Sequence, residues 1–246
     1  RKPCKRMTHG LSTAGLGPPD PELALIQHAD YVRALEACGL TVTVLEADER
    51  YPDSTFVEDA ALLTRACAVI TRPGAPSRRG ETDSIRAALS GFYTEIEEIR
   101  APGTVEGGDI MMVGDHFYIG VSKRTNPEGA RQVIEILMRY GLSGSMVSFG
   151  EMLHLKTGIA YLENDTIAAA GEYLEIEEFR KFTRIEIDAD EAYAANCLWL
   201  NGTVLVAAGF PRAANRIAAA GYPIIEVEVS EFRKLDGGLS CLSLRF

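Results

Sequence analysis

One pattern recurs along this chain and limits the folds open to it. "DAALLTRACAVITRPG" from Asp59 reads as strand, two-residue turn, strand, and "DIMMVGDHFYIGVSKR" from Asp109 has the same form. "GIAYLENDTIAAAGEY" from Gly158 repeats it with "ND" at the turn, and "NCLWLNGTVLVAAGFP" from Asn196 with "NG". Asn-Gly and related pairs between apolar runs are hairpin signals, because both turn residues must take positive φ. After most of these hairpins come a polar loop and a helical period, as in "GETDSIRAALSGFY", "NPEGARQVIEILMRYG" and "RAANRIAAAGY", and then another strand, as in "TEIEEIRAP" and "YPIIEVEVS". The repeating unit is therefore strand, strand, helix, strand (ββαβ), and repetition at this scale implies a ring or array of equivalent units.

A fifth unit is divided between the chain ends. "GGLSCLSLRF" supplies the expected first strand and then the sequence stops. "RKPCKRMTHG" resembles the loop after the first hairpin, and "PELALIQHADYVRALEACG" with "LTVTVLEA" supplies a helix and a third strand. Pairing of the N- and C-terminal segments would close a pseudo-fivefold ring without open sheet edges, with a further apolar strand ahead of Arg1. No Pro/Ser linker or low-complexity tract interrupts residues 1–246, so a single domain is expected.

Hydrophobic residues make up 46% of the 246, enough for a substantial core. No uninterrupted apolar window approaches membrane-spanning length, and the basic, polar start does not resemble a signal peptide. A net charge of −10 disfavours nucleic acid, whose binding rests on clustered Lys and Arg. A small cationic substrate suits it better. The cysteines (Cys4, Cys38, Cys67, Cys197, Cys241) are odd in number, widely spaced and without a CxxC pair. That pattern is neither a disulfide framework nor a zinc site, and it points to a reducing, cytoplasmic compartment.

In a ring of equivalent units, the loops at one end of the hairpins converge. Here they are acidic and reactive: "PDSTFVED" (Asp53, Glu58, Asp59), "TVEGGD" (Glu106, Asp109), "LHLKT" (His154) and "LDGGLSC" (Asp236, Cys241). Taken alone, Cys241 reads as a small core residue, His154 as a satisfied structural histidine, Arg78 as half of a solvated loop pair and Asp109 as a turn cap. Recurrence of such groups at one end of successive repeats is what raises them above those readings. Cys38, Cys67 and Cys197 read as core, and "GEYLEIEEFRKF" reads as a charged helix face.

Taken in order, "PDSTFVED", "ITRPGAPSRRGE", "GGDIMMVGDHFYIG", "KRTN", "LHLKT", "AANC" and "KLDGGLSC" resemble the dimethylarginine dimethylaminohydrolase family of the guanidino-group-modifying, or pentein, superfamily. The resemblance runs from Arg1 to Phe246. It implies an α/β fold, the five-bladed α/β propeller, and hydrolysis of N-omega-methylated arginines to citrulline and an alkylamine. It implies Cys241 as nucleophile, His154 as general acid and base, and Asp59 and Glu106 as acceptors for the guanidinium, with Glu106 also orienting His154. Asp236 is a further acceptor. Arg78 and Arg124 carry over as ligands of the substrate carboxylate, and Asp53 with the backbone carbonyls of Leu11 and Leu235 as ligands of its ammonium. Glu58 belongs to the same substrate-binding motif. No metal and no cofactor is expected. The expected partner is the small-molecule substrate, with no nucleic acid and no membrane, and with a homodimer left open.

These residue types suit that chemistry. A guanidinium carbon is a poor electrophile, so the cation must be held flat and protonated for a thiolate to attack it, and carboxylates do this. Two rival readings remain. An arginine deiminase would share the chemistry, but its histidine motif typically carries an aspartate where this chain has Lys156. A non-catalytic ring, like the ribosomal anti-association factors, would have no use for the full Cys, His, Glu and Asp set.

Overall fold

The computed structural model describes residues 1–150 and 152–246. Five α-helices are present among them: α1 (Pro21–Ala37), α2 (Glu81–Leu89), α3 (Pro127–Arg139), α4 (Pro211–Ala219) and α5 (Ser230–Arg233). Local sequence sets their limits. Asp20 caps α1, accepting from the N–H groups of Glu22 and Leu23, and Asn126 caps α3 through Gly129 N–H, each with proline at the first helical position. Gly141, at φ 75°, follows α3 in the left-handed conformation that ends a helix.

Among the described residues, twelve strands form four three-stranded sheets: β1 (Ala61–Leu63), β2 (Ala68–Ile70) and β3 (Ile96–Glu98); β4 (Ile110–Val113), β5 (His116–Val121) and β6 (Ser143–Ser148); β7 (Ile159–Tyr161), β8 (Thr166–Ala170) and β9 (Thr183–Ile187); β10 (Leu198–Leu200), β11 (Thr203–Ala207) and β12 (Ile224–Val227). In every sheet the first two strands are an antiparallel hairpin, and the third joins the middle strand in parallel. A parallel pair needs a crossover, which α2, α3 and α4 supply in three of the sheets. The three strands of the repeat read from the sequence are therefore present four times, and the full ββαβ unit three times.

The third crossover departs from expectation. "GEYLEIEEFRKF" forms two 3-10 turns, Gly171–Leu174 and Glu177–Phe179, rather than a charged helix. Tyr173, Ile176, Phe179 and Phe182 recur every third residue and all are buried. That spacing fits three residues per turn, and a 3.6-residue helix would swing one of them toward solvent.

The fifth sheet does not form among the described residues. Cys241 lies on a 3-10 turn, Ser240–Leu242, and residues 41–47 run without regular pairing, Lys2 N–H donating to Leu45 O (3.0 Å). A strand needs a ladder partner, whereas Cys241 N–H is spent on Gly238 O (3.2 Å) and Ser240 N–H on the Asn196 side chain (2.9 Å). The expected terminal strand is thus corrected to a 3-10 turn, and the described residues form no closed sheet. Side chains hold the segment instead: Tyr31 from α1 donates to Leu239 O (3.0 Å), and Tyr193 to Gly237 O (2.7 Å).

The chain divides into two compact units, one of Arg1–Thr55 with Gly158–Leu242, the other of Phe56–Thr157 with Ser243–Phe246. In the second, Val69, Ile99, Val105, Ile110, Phe117 and Ile119 pack with Val133, Ile136 and Leu137 of α3 as a buried core. In the first, Ala168, Ala169, Val204, Leu205 and Ile217 are fully buried.

Candidate active site

A 3-10 turn precedes the first strand of each hairpin: Val57–Ala60, Gly107–Asp109, Leu155–Thr157 and Ala189–Ala195. Ser240–Leu242 is a fifth such turn, without a strand after it. The acidic and reactive positions read from the sequence sit in or beside these turns, so their recurrence reflects a common place in the repeat.

In the Phe56–Thr157 unit, three of the turns meet. His154 Nε2 lies 2.8 Å from Glu106 Oε2, and Asp59 accepts from Gly108 N–H (2.9 Å). Gly108 has to be glycine, because a Cβ there would lie 2.8 Å from His154 Nδ1 and 3.0 Å from Asp59 Oδ1. Asp109 is fully buried, accepting from Leu155 N–H (2.9 Å) and from Ser122 Oγ–H (2.7 Å), and so fixes the backbone next to His154. The buried negative charge is balanced by arginine: Arg78 is paired with Asp59 (2.6 Å) and Glu81 (2.9 Å), and Arg124 with Glu106 (3.2 Å). Glu58 is buried between Lys156 Nζ (2.6 Å) and Arg245 Nη2 (2.9 Å).

Burial alone would lower the His154 pKa, but the carboxylates of Asp59 and Asp109 and the bond to Glu106 raise it to about 9. Burial alone would raise Glu106, yet the bond from His154, its charge and those of Arg78 and Arg124 hold it low, at about 2. The pair is therefore imidazolium and carboxylate at neutral pH. A histidine raised in this way stabilises the fold fully below its unfolded value of 6.5, and that contribution is lost as pH rises through about 9. In denaturant titrations, the stability advantage of wild type over His154→Gln is expected to be largest below about pH 6 and to shrink steadily toward pH 9. A pH-independent difference would contradict the imidazolium assignment.

Asp59, Glu106 and His154 each offer a ligand atom within 4.8 Å of the others, a spacing that could hold a metal ion. Arg78, Arg124 and the His154 imidazolium already supply the positive charge such an ion would bring. The arrangement suits a planar cation that exchanges N–H hydrogen bonds with carboxylates, with an acid ready at its edge.

The Arg1–Thr55 and Gly158–Leu242 unit gathers the remaining expected residues. Asp53 is buried and accepts from Leu11 N–H (2.9 Å), and a Cβ on Gly10 would lie 2.7 Å from Asp53 Oδ1 and 3.1 Å from Leu235 Cδ1. Asp236, at φ 59°, accepts from Thr13 N–H (2.5 Å) and Thr13 Oγ1–H (3.1 Å). Cys241 is half-buried, and its sulfur accepts from Gly238 N–H (3.4 Å). The expected residues thus divide between the two units. Glu58, Asp59, Arg78, Glu106, Arg124 and His154 lie in one unit, and Leu11, Asp53, Leu235, Asp236 and Cys241 in the other.

Sequence reasoning overlooked Glu81, Ser122 and Arg245. Glu81 was within reach, since a carboxylate three residues after Arg78 at a helix start faces it. Nothing local signals that Arg245 reaches a residue almost two hundred positions earlier.

A buried histidine beside carboxylates suited to a planar cation, on repeated three-stranded sheets with a half-buried cysteine in the chain, is the set of groups that chemistry on a guanidino group calls for. A sequence profile described as N,N dimethylarginine dimethylhydrolase, eukaryotic, matches residues 20–176. The N(G),N(G)-dimethylarginine dimethylaminohydrolase of Pseudomonas aeruginosa is 57% identical over 100% of this chain and 97% of its own length. The chain belongs to the dimethylarginine dimethylaminohydrolase family. Its fold matches the P. aeruginosa enzyme carrying a cysteine-to-serine replacement and complexed with citrulline, with a TM-score of 0.99 and 56% identity over 100% of this chain and 97% of that one. It also matches a dimethylarginine dimethylaminohydrolase with a histidine-to-glycine replacement, an adduct with S-methyl-L-thiocitrulline, at a TM-score of 0.98, with the same identity and coverage.

Proposed function

We propose that this chain hydrolyses asymmetric dimethylarginine and monomethylarginine to citrulline, releasing dimethylamine or methylamine, with Cys241 as nucleophile. The observation that carries this reading is the buried His154–Glu106 pair beside Asp59. The P. aeruginosa relative bound to citrulline supports the product. In the two solved relatives, the replaced cysteine and the replaced histidine are numbered as far apart as Cys241 and His154 are here.

In the reaction, Asp59 and Glu106 accept N–H bonds from the guanidinium and hold it planar. The Cys241 thiolate adds to the guanidinium carbon, and His154 donates its proton to the alkylated nitrogen as the carbon–nitrogen bond breaks. A thiouronium remains on Cys241. Water then adds to the same carbon, giving one proton to His154, and the carbon–sulfur bond breaks to return the thiolate, while the added hydroxyl loses its remaining proton to solvent to release citrulline. Every step uses groups of the protein, substrate and water. Arg78 and Arg124 are assigned to the substrate carboxylate, and Asp53 with the Leu11 and Leu235 carbonyls to its ammonium. Glu58 and Asp236 belong to the same binding set.

We read the two compact units together as one catalytic domain, since the chain passes from one to the other three times. The five-bladed ring stays part of this reading, supported by the fifth 3-10 turn and by α1, which stands where the fifth helix is expected. No helix among the described residues is long and apolar enough to cross a membrane. The five cysteines are thiols rather than disulfide partners, in keeping with the reducing, cytoplasmic setting that belongs to this reading.

Lys156 bears on selectivity. A second carboxylate at its position would be left unpaired when methyl groups replace N–H donors, at about 1–3 kcal/mol per buried group. Lys156 instead neutralises Glu58. Its kcat/KM for asymmetric dimethylarginine or monomethylarginine is expected to exceed that for arginine by at least about tenfold. Separate incubations with identification of the released amine check this. Comparable values with arginine, with ammonia as main product, would make the protein a deiminase.

A further inference from the structure

Asn196 is buried, and its side chain braces the turn that carries Cys241. Its Oδ1 accepts from Ser240 N–H (2.9 Å), and its Nδ2 donates to Ser240 Oγ (3.0 Å). It also lies flat against Gly238, where a Cβ would fall 2.6 Å from both Cγ and Oδ1. Asn196 is anchored in turn by its own N–H to Tyr193 O (3.2 Å), and Tyr193 Oη donates to Gly237 O (2.7 Å). One short segment, residues 193–196, thereby fixes positions 237, 238 and 240. Within that turn, Cys241 N–H meets Gly238 O (3.2 Å) and Gly238 N–H meets the Cys241 sulfur (3.4 Å).

We propose that Asn196 is a positioning residue for the nucleophile, whose amide holds the Gly238–Cys241 turn so that the Gly238 N–H points at the Cys241 sulfur. A donor aimed at sulfur favours thiolate over thiol, so a side chain that never touches the substrate raises the reactive fraction of Cys241. The fit is specific to this amide. Ser240 presents a donor on its backbone and an acceptor on its hydroxyl, and one planar group carrying both functions answers them while leaving space for Gly238. Charged and titratable groups beside the turn include Tyr193, Arg233, whose guanidinium lies 4.9 Å over the Tyr193 ring, and Asp236.

This inference rests on Cys241 being the nucleophile, and the test separates the two. Iodoacetamide alkylation of Cys241 is followed against pH in substrate-free wild type, Asn196→Ala and Ser240→Ala, with the modified peptide identified by mass, alongside kcat and KM for dimethylarginine. Asn196→Ala is expected to lower kcat about tenfold, with KM within about twofold, and to raise the alkylation midpoint by about one pH unit. Ser240→Ala keeps the backbone bond to Asn196 and is expected to show about a third of that loss in kcat with a smaller midpoint shift. Should Asn196→Ala fail to fold, Ser240→Ala decides. A folded variant with wild-type kcat and a wild-type alkylation profile overturns the role of Asn196 alone. A wild type that turns over no methylated arginine overturns the nucleophile assignment beneath it.

Discussion

Cys241→Ser is expected to lose at least about a thousandfold in kcat while keeping its unfolding midpoint and much of its affinity for methylated arginine. The two side chains differ by one atom and have nearly the same volume, so the 3-10 turn Ser240–Leu242 and its bonds to Asn196 have no reason to change. Their ionisation differs greatly. A hydroxyl is far weaker as an acid than a thiol, and the guanidinium carbon is too poor an electrophile to be attacked by the neutral group. The P. aeruginosa relative with serine in place of a cysteine was solved with citrulline bound, which supports retention of fold and binding. Steady-state release of dimethylamine, thermal melting and equilibrium binding of substrate check the three parts. A variant with near-native kcat would remove Cys241 as nucleophile.

The hairpins were legible because their turns impose backbone chemistry that few residues accept. Asn201 and Gly202 sit at φ 49° and 91°, as the Asn-Gly pair predicts. The β7–β8 turn was harder. Glu163, Asn164 and Asp165 all adopt positive φ, in a three-residue loop closed by Leu162 N–H to Thr166 O (2.8 Å), where the sequence suggested a turn at Asn-Asp alone. Nothing intrinsic to glutamate favours that conformation, so its place in the turn comes from the register of the flanking strands.

The chain end shows the opposite case, in which a local pattern misled. Alternation in "LSCLSLRF" fits a strand, but strand formation depends on a partner, and the side chains of Tyr31, Tyr193 and Asn196 claim the backbone of residues 237–240 instead. Cys241 is held in place by those side-chain bonds to its turn rather than by a strand ladder. For the site, residue types and their recurrence in successive repeats brought out the acids, the histidine and the cysteine. The pairing of Arg78 with Asp59 and of Glu58 with Lys156 and Arg245 was not readable, because ion pairs between distant segments leave no periodicity.

His154→Ala is expected to abolish turnover of dimethylarginine, with a loss in kcat of at least about a thousandfold, and to stop the two half-reactions differently. Dimethylamine leaves only if its nitrogen is protonated, and the raised pKa of His154 keeps the imidazole ready as an acid. A substrate whose leaving group departs as a stable anion has no such need. With S-methyl-L-thiocitrulline, the variant should therefore still form its covalent bond to Cys241 and release methanethiol. Hydrolysis of the resulting thiouronium requires a base to take the proton of water, and alanine supplies none, so the intermediate should accumulate. The solved adduct of a histidine-to-glycine relative with this compound supports the expectation. Intact-mass spectrometry after mixing should show a stable adduct in His154→Ala and only a transient one in wild type. An adduct that clears at the wild-type rate would remove His154 from the second half-reaction, and failure to form any adduct would place its main contribution in readying the thiol.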